Sequence, residues 1–182
     1  MRIRSLERCT VPSTTASTFN SRAICGSVNG RCDVFTTDGS GLASTRAQMA
    51  PKPDDYVILP ERISKEPLGP VVRKGDDQWY DLVKWSLDAM VEAEELGITS
   101  KNLDEMLKST NPAVQRVLGV TDAGFGKSLG VSEKWVYNSI KTVGNYGESF
   151  ERNVGQGSPH KFGRGANALW SNGGMMFSPP FN

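Results

Sequence analysis

Nineteen glycines and ten prolines are spread through this chain of 182 residues, and they set what it can build. Proline removes a helix donor and clashes with the preceding turn, while glycine costs a helix roughly 1 kcal/mol relative to alanine. The chain is cut into short pieces, which excludes a bundle of long helices. The best-defined piece runs from Asp76 to Gly97. Asp76 is a good N-cap, Trp79, Leu82, Val83, Leu87, Met90 and Ala93 share one helical stripe, and Gly97 supplies the stop. Its polar side carries Asp77, Lys84, Asp88, Glu92 and Glu95. Trp79 and Trp85 are assigned to core or boundary packing, because a large buried aromatic needs no ligand to explain it.

Shorter elements flank this helix. RCDVFTTD (31–38) has strand composition around Val34 and Phe35, and Asp38-Gly39 turns the chain. Helical spacing follows from Leu42 through Arg46 to Met49, ended by Pro51 and Pro53. Tyr56 to Leu59 is a second strand expectation, stopped by Pro60, and Val71-Val72 ends a third. Downstream, Ser100 is placed to cap a helix over 101–108, and Asn111-Pro112 is an N-cap with proline at the first helical position. A longer helix is expected from Ser132 through Trp135, Val136, Ile140 and Val143 to Phe150. Gly144 and Gly147 interrupt it, and close approach of another backbone would explain them. The tail from Phe162 predicts a turn or two of helix around Ala166 to Trp170, then an extended end.

Charge and rare residues then narrow the chemistry. Lys plus Arg total 21 against 20 for Asp plus Glu, a formal net charge of +1. That balance argues against nucleic acid as a partner, since such binding rests on clustered excess cation. No stretch approaches the ~20 apolar residues of a membrane-spanning helix. A single histidine, His160, leaves little material for zinc or for Ser-His and Cys-His catalysis. The three cysteines, Cys9, Cys25 and Cys32, are an odd set. Cys25 and Cys32 are close enough to bridge across a turn, and free thiols or partners elsewhere fit equally well. No paired C-x-x-C pattern suggests a metal.

Several motifs tempt and fail. Gly126-Lys127-Ser128 resembles the end of a phosphate-binding loop, but the required first glycine is Thr121. The basic run from His160 to Arg164 is short enough for a solvated surface. The acid pairs Asp76-Asp77 and Glu94-Glu95 sit at helix ends, where capping or solvation explains them without acid–base catalysis. Residues 1–29 are rich in Arg, Ser and Thr and lack the apolar core of a secretory signal.

The more specific signal lies in whole segments. GRCDVFTTDGSGL (30–42) and VILPERISKEPLGPVVRKGDDQW (57–79) strongly resemble the periplasmic general L-amino-acid-binding proteins of ABC transporters, in the bacterial solute-binding family for polar amino acids. AEELGITSKNLDEM (93–106), STNPAVQRVLG (109–119), VGNYGESFERNVG (143–155) and RGANALWSNGGMMFSPP (164–180) continue the likeness, which spans residues 30 to 182. The resemblance implies an α/β fold, the type II two-lobed clamp of periplasmic binding proteins, present here as the C-terminal half and helix-rich toward its end. Residues 30–50 would close lobe two, 51–60 would cross over, and 61–182 would return to lobe one with extra C-terminal helices. Residues 1–29 remain unassigned, as a disordered or non-native segment. A periplasmic location is implied, although no export signal is visible. So are L-amino acids as ligands, an ABC-transporter permease as partner, a monomeric state and no cofactor.

The resemblance also places a site. An α/β sheet binds ligands beyond the carboxyl ends of its strands, and Asp38 follows Thr37 in that position. In similar proteins the aspartate there accepts hydrogen bonds from the ligand's α-ammonium. Thr36, Thr37 and Gly39 are the neighbours that would shape the cleft. The alternative is that Asp38 only opens the turn or caps the next helix. The arginine that would clamp the ligand carboxylate falls outside this chain, and Arg46, Arg62 and Arg73 do not match its motif. Cys32 matches the family cysteine of GRCD, whose implied disulfide partner also lies outside the chain, with Cys25 as the substitute.

Three functions compete: a transport-binding subunit, a fragment without binding that serves as an interaction module, and a dehydratase on the same scaffold, since fold alone does not decide function. The dehydratase needs a general acid in the cleft, and no histidine or buried carboxylate is evident there, so the chain is expected not to be an enzyme. Residues 56–182 are expected to be the compact part, so limited proteolysis should cut first before Gly30 and spare 56–182. Early cleavage within 79–96 would overturn this reading of the compact part.

Overall fold

The computed structural model describes residues 33–49, 55–61, 64, 67–121 and 124–181. They fall into two compact units, one ending at residue 63 and the other running from Ser64 to Asn182. In the first, helix α1 spans Gly39–Met49. The spacing from Leu42 onward predicts it, but it starts three residues earlier because the Asp38 carbonyl already accepts the Leu42 N–H at 2.8 Å. Its buried side is small, with Ala43 as the one buried apolar residue among those described.

The second unit is built around α2, Asp77–Glu95. Asp76 caps it as expected, accepting the Trp79 N–H at 3.2 Å. At the other end the Ile98 N–H reaches back to the Ala93 carbonyl at 2.7 Å, across a Gly97 held at φ +69. Four short helices follow, α3 (Leu103–Met106), α4 (Pro112–Val117), α5 (Phe125–Ser128) and α6 (Trp135–Val143). Then come α7 (Tyr146–Asn153) and two 3-10 turns, Gly165–Asn167 and Trp170–Asn172. The core joins Ala89 and Ala93 of α2 to Ile98, Leu103, Val114, Val117, Leu118, Trp135, Val136 and Ile140. Phe181 closes it from the tail, meeting Trp85 and Phe125 edge-on at 5.2 and 5.7 Å between ring centroids. Burying such side chains contributes about 1.5–3 kcal/mol each before entropy is charged. Among the described residues no helix is long and apolar enough to cross a membrane.

Several expectations are corrected. The described part of the first expected strand, 33–38, is not a strand, and neither are Tyr56–Leu59 or Val71-Val72. β-favouring side chains alone do not make a ladder, because a strand needs a partner for its N–H and C=O groups. The sheet of an α/β fold thus has no strand among the described residues, where the one bridge is the isolated pair Leu169 and Met176. Ser100 caps nothing on its own helix. Asn102 and Thr99 exchange hydrogen bonds there instead, and α3 is one turn long. The stripe on α2 is only partly inward, since Trp79 is 51% exposed while Ala89 and Ala93 are buried.

The helix expected from Ser132 to Phe150 is two helices meeting at an elbow. Gly144 takes φ +80, and Asn145 opens α7 by accepting the Glu148 N–H while Glu148 accepts the Asn145 N–H. Asn145 also donates to the Ile98 carbonyl at 2.8 Å, and Glu148 accepts the Ser100 hydroxyl at 2.7 Å and the Ser100 N–H at 3.0 Å. The elbow is therefore fastened to the loop that ends α2. Gly144 and Gly147 do not admit a backbone as expected. A Cβ at either would stand 2.8–2.9 Å from a carboxylate side chain, that of Glu148 or Glu94. The backbone approach occurs at Gly119 and Gly126, where a Cβ would fall within 2.6 Å of the Ser132–Glu133 main chain.

Arg164 is not a solvated basic residue. It forms a bidentate pair with Glu94, both bonds at 3.0 Å, lies over Tyr146 and Phe150, and donates to the Asn167 carbonyl. Glu95 accepts the Ser178 N–H at 3.1 Å, so the acid pair at the end of α2 anchors the tail.

Burial pushes the Glu148 carboxyl up, but the Ser100 hydroxyl, the Asn145 and Ser100 N–H groups and the Lys101 charge outweigh it and hold it below the usual carboxylate value. A carboxyl lowered on folding stabilises the native state above its unfolded value and loses that contribution as pH falls through the folded one. Glu148→Ala should therefore destabilise the chain by about 1–2 kcal/mol at neutral pH. Denaturant melts should show that difference shrinking below about pH 4, the carboxylate range. A difference independent of pH would contradict the charge-assisted account.

Candidate functional site

Three of the four expected ligand residues, Thr36, Thr37 and Asp38, precede α1, and Gly39 is its first residue. Thr36 and Asp38 are exposed, and Thr37 and Gly39 are half-buried. Thr37 lies over the first turn of α1, since a Cβ on Gly41 would come within 3.3 Å of its methyl group. Helix entry thereby brings Thr36, Thr37, Asp38 and Gly39 together by chain continuity at one helix N-terminus. Cys25 and Cys32 lie outside the described residues, as do Arg62 and residues 51–54 of the crossover.

The two N-cap aspartates behave differently, and the difference bears on role. At α2 the Asp76 carboxylate accepts a helix N–H. At α1 the Asp38 backbone carbonyl accepts one, while among the described residues its carboxylate has no hydrogen-bond partner. The capping alternative is therefore not realised through the side chain. A helix N-terminus carries roughly half a positive charge, which by itself would oppose an ammonium group. The full negative charge of Asp38 exceeds it, so the local field can still favour a cation held on the carboxylate.

Three described arginines have surroundings of their own. Arg46 directs one N–H to the Tyr56 carbonyl at 3.5 Å, a weak contact. Arg73 stands beside Lys74, Gly75 and Asp76 in a shallow polar depression ahead of α2. Arg164 is committed to Glu94. That last pair was illegible in the sequence, because partners 70 positions apart carry no local pattern.

Other tempting features resolve without chemistry. The Lys127 N–H, which a phosphate would have to reach, donates to the Glu133 carboxylate at 2.8 Å. His160 stacks near Phe162 at 6.2 Å. Among the described residues no cluster of His, Cys, Asp or Glu could hold a metal.

No protein-family model matches the chain. Curated relatives do. The chain is 59% identical over 152 residues to the general L-amino acid-binding periplasmic protein AapJ of Rhizobium johnstonii, covering 83% of this chain and 44% of that protein. It is 52% identical over 155 residues to the putative amino-acid ABC transporter-binding protein YhdW of Escherichia coli, covering 84% and 44%. It is also 52% identical over 153 residues to the glutamate/glutamine/aspartate/asparagine-binding protein BztA of Rhodobacter capsulatus, covering 84% and 45%. An ABC transporter periplasmic binding protein from Brucella ovis, solved with glutathione bound, matches at TM-score 0.83 and 50% identity, over 90% of this chain and 51% of that one. The chain spans rather less than half the length of the curated relatives it matches.

Since no backbone donor among the described residues meets the Asp38 carboxylate, Asp38→Ala should change stability by less than about 0.5 kcal/mol, against about 1 kcal/mol for Asp76→Ala. Urea unfolding of the two variants measures this. Equal losses would return Asp38 to a purely capping role.

Proposed function

We propose that this chain, a homologue of the amino-acid-binding proteins of ABC transporters, is the C-terminal half of such a subunit and works in the periplasm. The observation that carries this reading is its 59% identity over 152 residues to a general L-amino acid-binding periplasmic protein. Residues 30–50 close lobe two, 51–60 cross over, and 61–182 return to lobe one. The subunit binds its ligand without transforming it, acts as a monomer and hands the amino acid to a permease.

Ligand chemistry supports the assignment of Asp38. Glutamate, glutamine, aspartate and asparagine, named for one relative, all carry an α-ammonium beside an α-carboxylate. The γ-glutamyl end of glutathione, bound by the solved neighbour, carries the same pair. Asp38 takes the ammonium, and Thr36, Thr37 and Gly39 shape the wall beside it. A charge-assisted hydrogen bond of this kind contributes roughly 1.5–3 kcal/mol. The carboxylate requires a bidentate donor, which the other half supplies. A zwitterion held at one end leaves its second charge unpaired, a loss on the order of 2–5 kcal/mol.

The test is calorimetry with glutamate, glutamine and a small neutral amino acid. The isolated chain should bind weakly, near the millimolar range, because that loss comes off the about −8 kcal/mol of micromolar binding. Fusion of a family-type N-terminal half in frame at Gly30 should restore micromolar binding, and Asp38→Ala in the fusion should weaken it roughly tenfold to a hundredfold. Micromolar binding by the isolated chain, or a folded fusion that binds nothing, would overturn the reading.

A further inference from the structure

An Asn-Gly pair closes the second 3-10 turn of the tail, with Asn172 as its last residue and Gly173 as its stop. Both residues are exposed, and Gly173 takes φ +78, a left-handed conformation that a residue without Cβ adopts freely. The Asn172 N–H donates to the Leu169 carbonyl at 2.8 Å. Among the described residues its side-chain amide has no hydrogen-bond partner. The amide carbon of such a side chain is an electrophile, and the backbone nitrogen of the next residue is a nucleophile tethered within reach of it. Ring closure between them is intramolecular, and a following glycine crowds it least.

The other described asparagines lack this combination. Asn102, Asn145 and Asn153 commit their amides to the carbonyls of Gly97, Ile98 and Ser149. Asn111 precedes Pro112, whose nitrogen carries no proton. Asn138 lies inside α6, and Asn167 precedes an alanine. At Asn172 one backbone bond holds the nucleophile back, from the Gly173 N–H to the Trp170 carbonyl at 3.2 Å. It is longer than the neighbouring bonds of Asn172 and Gly174 to Leu169, at 2.8 and 3.0 Å. Hydrogen bonds of a 3-10 turn are poorly aligned, and one at an exposed end opens by local fraying.

We propose that Asn172 is a self-modification site, at which the chain deamidates through a cyclic imide formed with the Gly173 nitrogen. That nitrogen gives up its proton and bonds to the Asn172 Cγ. The Cγ–Nδ2 bond breaks, and ammonia leaves with the proton. Water then opens the imide. Attack at Cγ gives aspartate, and attack at the α-carbonyl gives isoaspartate, whose main chain runs on through Cβ and Cγ. Nothing is oxidised or reduced, and water is the only co-reactant.

The two products act differently on the tail. Gly174 is seated so closely on Ala168 that a Cβ there would collide with the Ala168 carbonyl oxygen. Aspartate leaves that backbone path unchanged. Isoaspartate inserts an extra methylene ahead of Gly174 and shifts it out of register. The bonds from Gly174, Met175 and Met176 to Leu169, Ala166 and Ala168 then loosen together.

The experiment ages the full chain in mildly alkaline buffer and follows each asparagine by peptide mass. Residue 172 should gain the mass of an amide-to-acid conversion at least about tenfold faster than any other described asparagine. Isoaspartate should appear beside aspartate, and the rate should rise with pH as the Gly173 nitrogen loses its proton more readily. The second Asn-Gly pair, Asn29-Gly30, lies outside the described residues and is followed on its own peptide. Asn172→Gln keeps an amide but needs a larger ring, and should abolish the conversion at this position. Asn172→Asp, the aspartate product made directly, should keep the parent's amide exchange at Gly174, Met175 and Met176, while the isoaspartate fraction exchanges about tenfold faster there. Conversion at Asn172 no faster than at Asn138 or Asn167, aspartate without isoaspartate, or a rate indifferent to pH would each overturn the imide route. Equal exchange in the isoaspartate fraction and in Asn172→Asp would overturn its effect on the tail.

Discussion

Two alanines on the inner face of α2 allow the rest of the second unit to form. Ala89 and Ala93 are almost wholly buried, and their small side chains let α4, α6 and α7 approach the C-terminal half of the helix. Bulkier residues there would push those helices outward and open the layer of Val114, Val117, Val136 and Ile140 behind them. The same helix end holds the polar fastenings. Glu94 grips Arg164, Glu95 takes the Ser178 N–H, and the loop just beyond binds Glu148 and Asn145. Apolar closeness and charged anchoring thus converge on the twelve residues from Ala89 to Ser100.

Those fastenings explain why so irregular a tail is ordered. Beyond α7 the described residues form two 3-10 turns, one isolated bridge and a set of loop hydrogen bonds, and side chains tie down both ends. Arg164 secures one end through Glu94 and two aromatic faces, and Phe181 secures the other between Trp85 and Phe125. Burial raises the Tyr146 phenol, with Arg164 opposing and Glu94 adding to the shift. The ring is therefore held as a neutral apolar plate beneath the guanidinium.

The start of α1 differs from the start of α2 in its side chain. At both starts the aspartate carbonyl accepts a helix N–H, but among the described residues the Asp38 carboxylate has no hydrogen-bond partner. Asp76, of the same residue type in the same position of another helix, spends its carboxylate on the cap. A side chain kept out of local bonding at a helix start is suited to a partner brought by solution, and an ammonium group fits the charge.

How much of this was legible depended on the range of the interaction. Caps and stops are local, and Asp76, Gly97 and Asn111-Pro112 could be read from a few neighbouring residues. The family resemblance alone nominates Asp38, Thr36, Thr37 and Gly39, since it carries position even where chemistry is silent. Strands at 33–38, 56–59 and 71–72 failed because β-favouring residues state a preference while a ladder requires a partner. The break at Gly144 was visible only as a weak glycine, and it became an elbow because Ser100, distant in sequence, binds Glu148. Which apolar face of α2 is buried, what fills the space beside Gly147 and where Arg164 ends are decisions of the tertiary structure alone. Each joins residues tens of positions apart, and no sequence period records such a meeting.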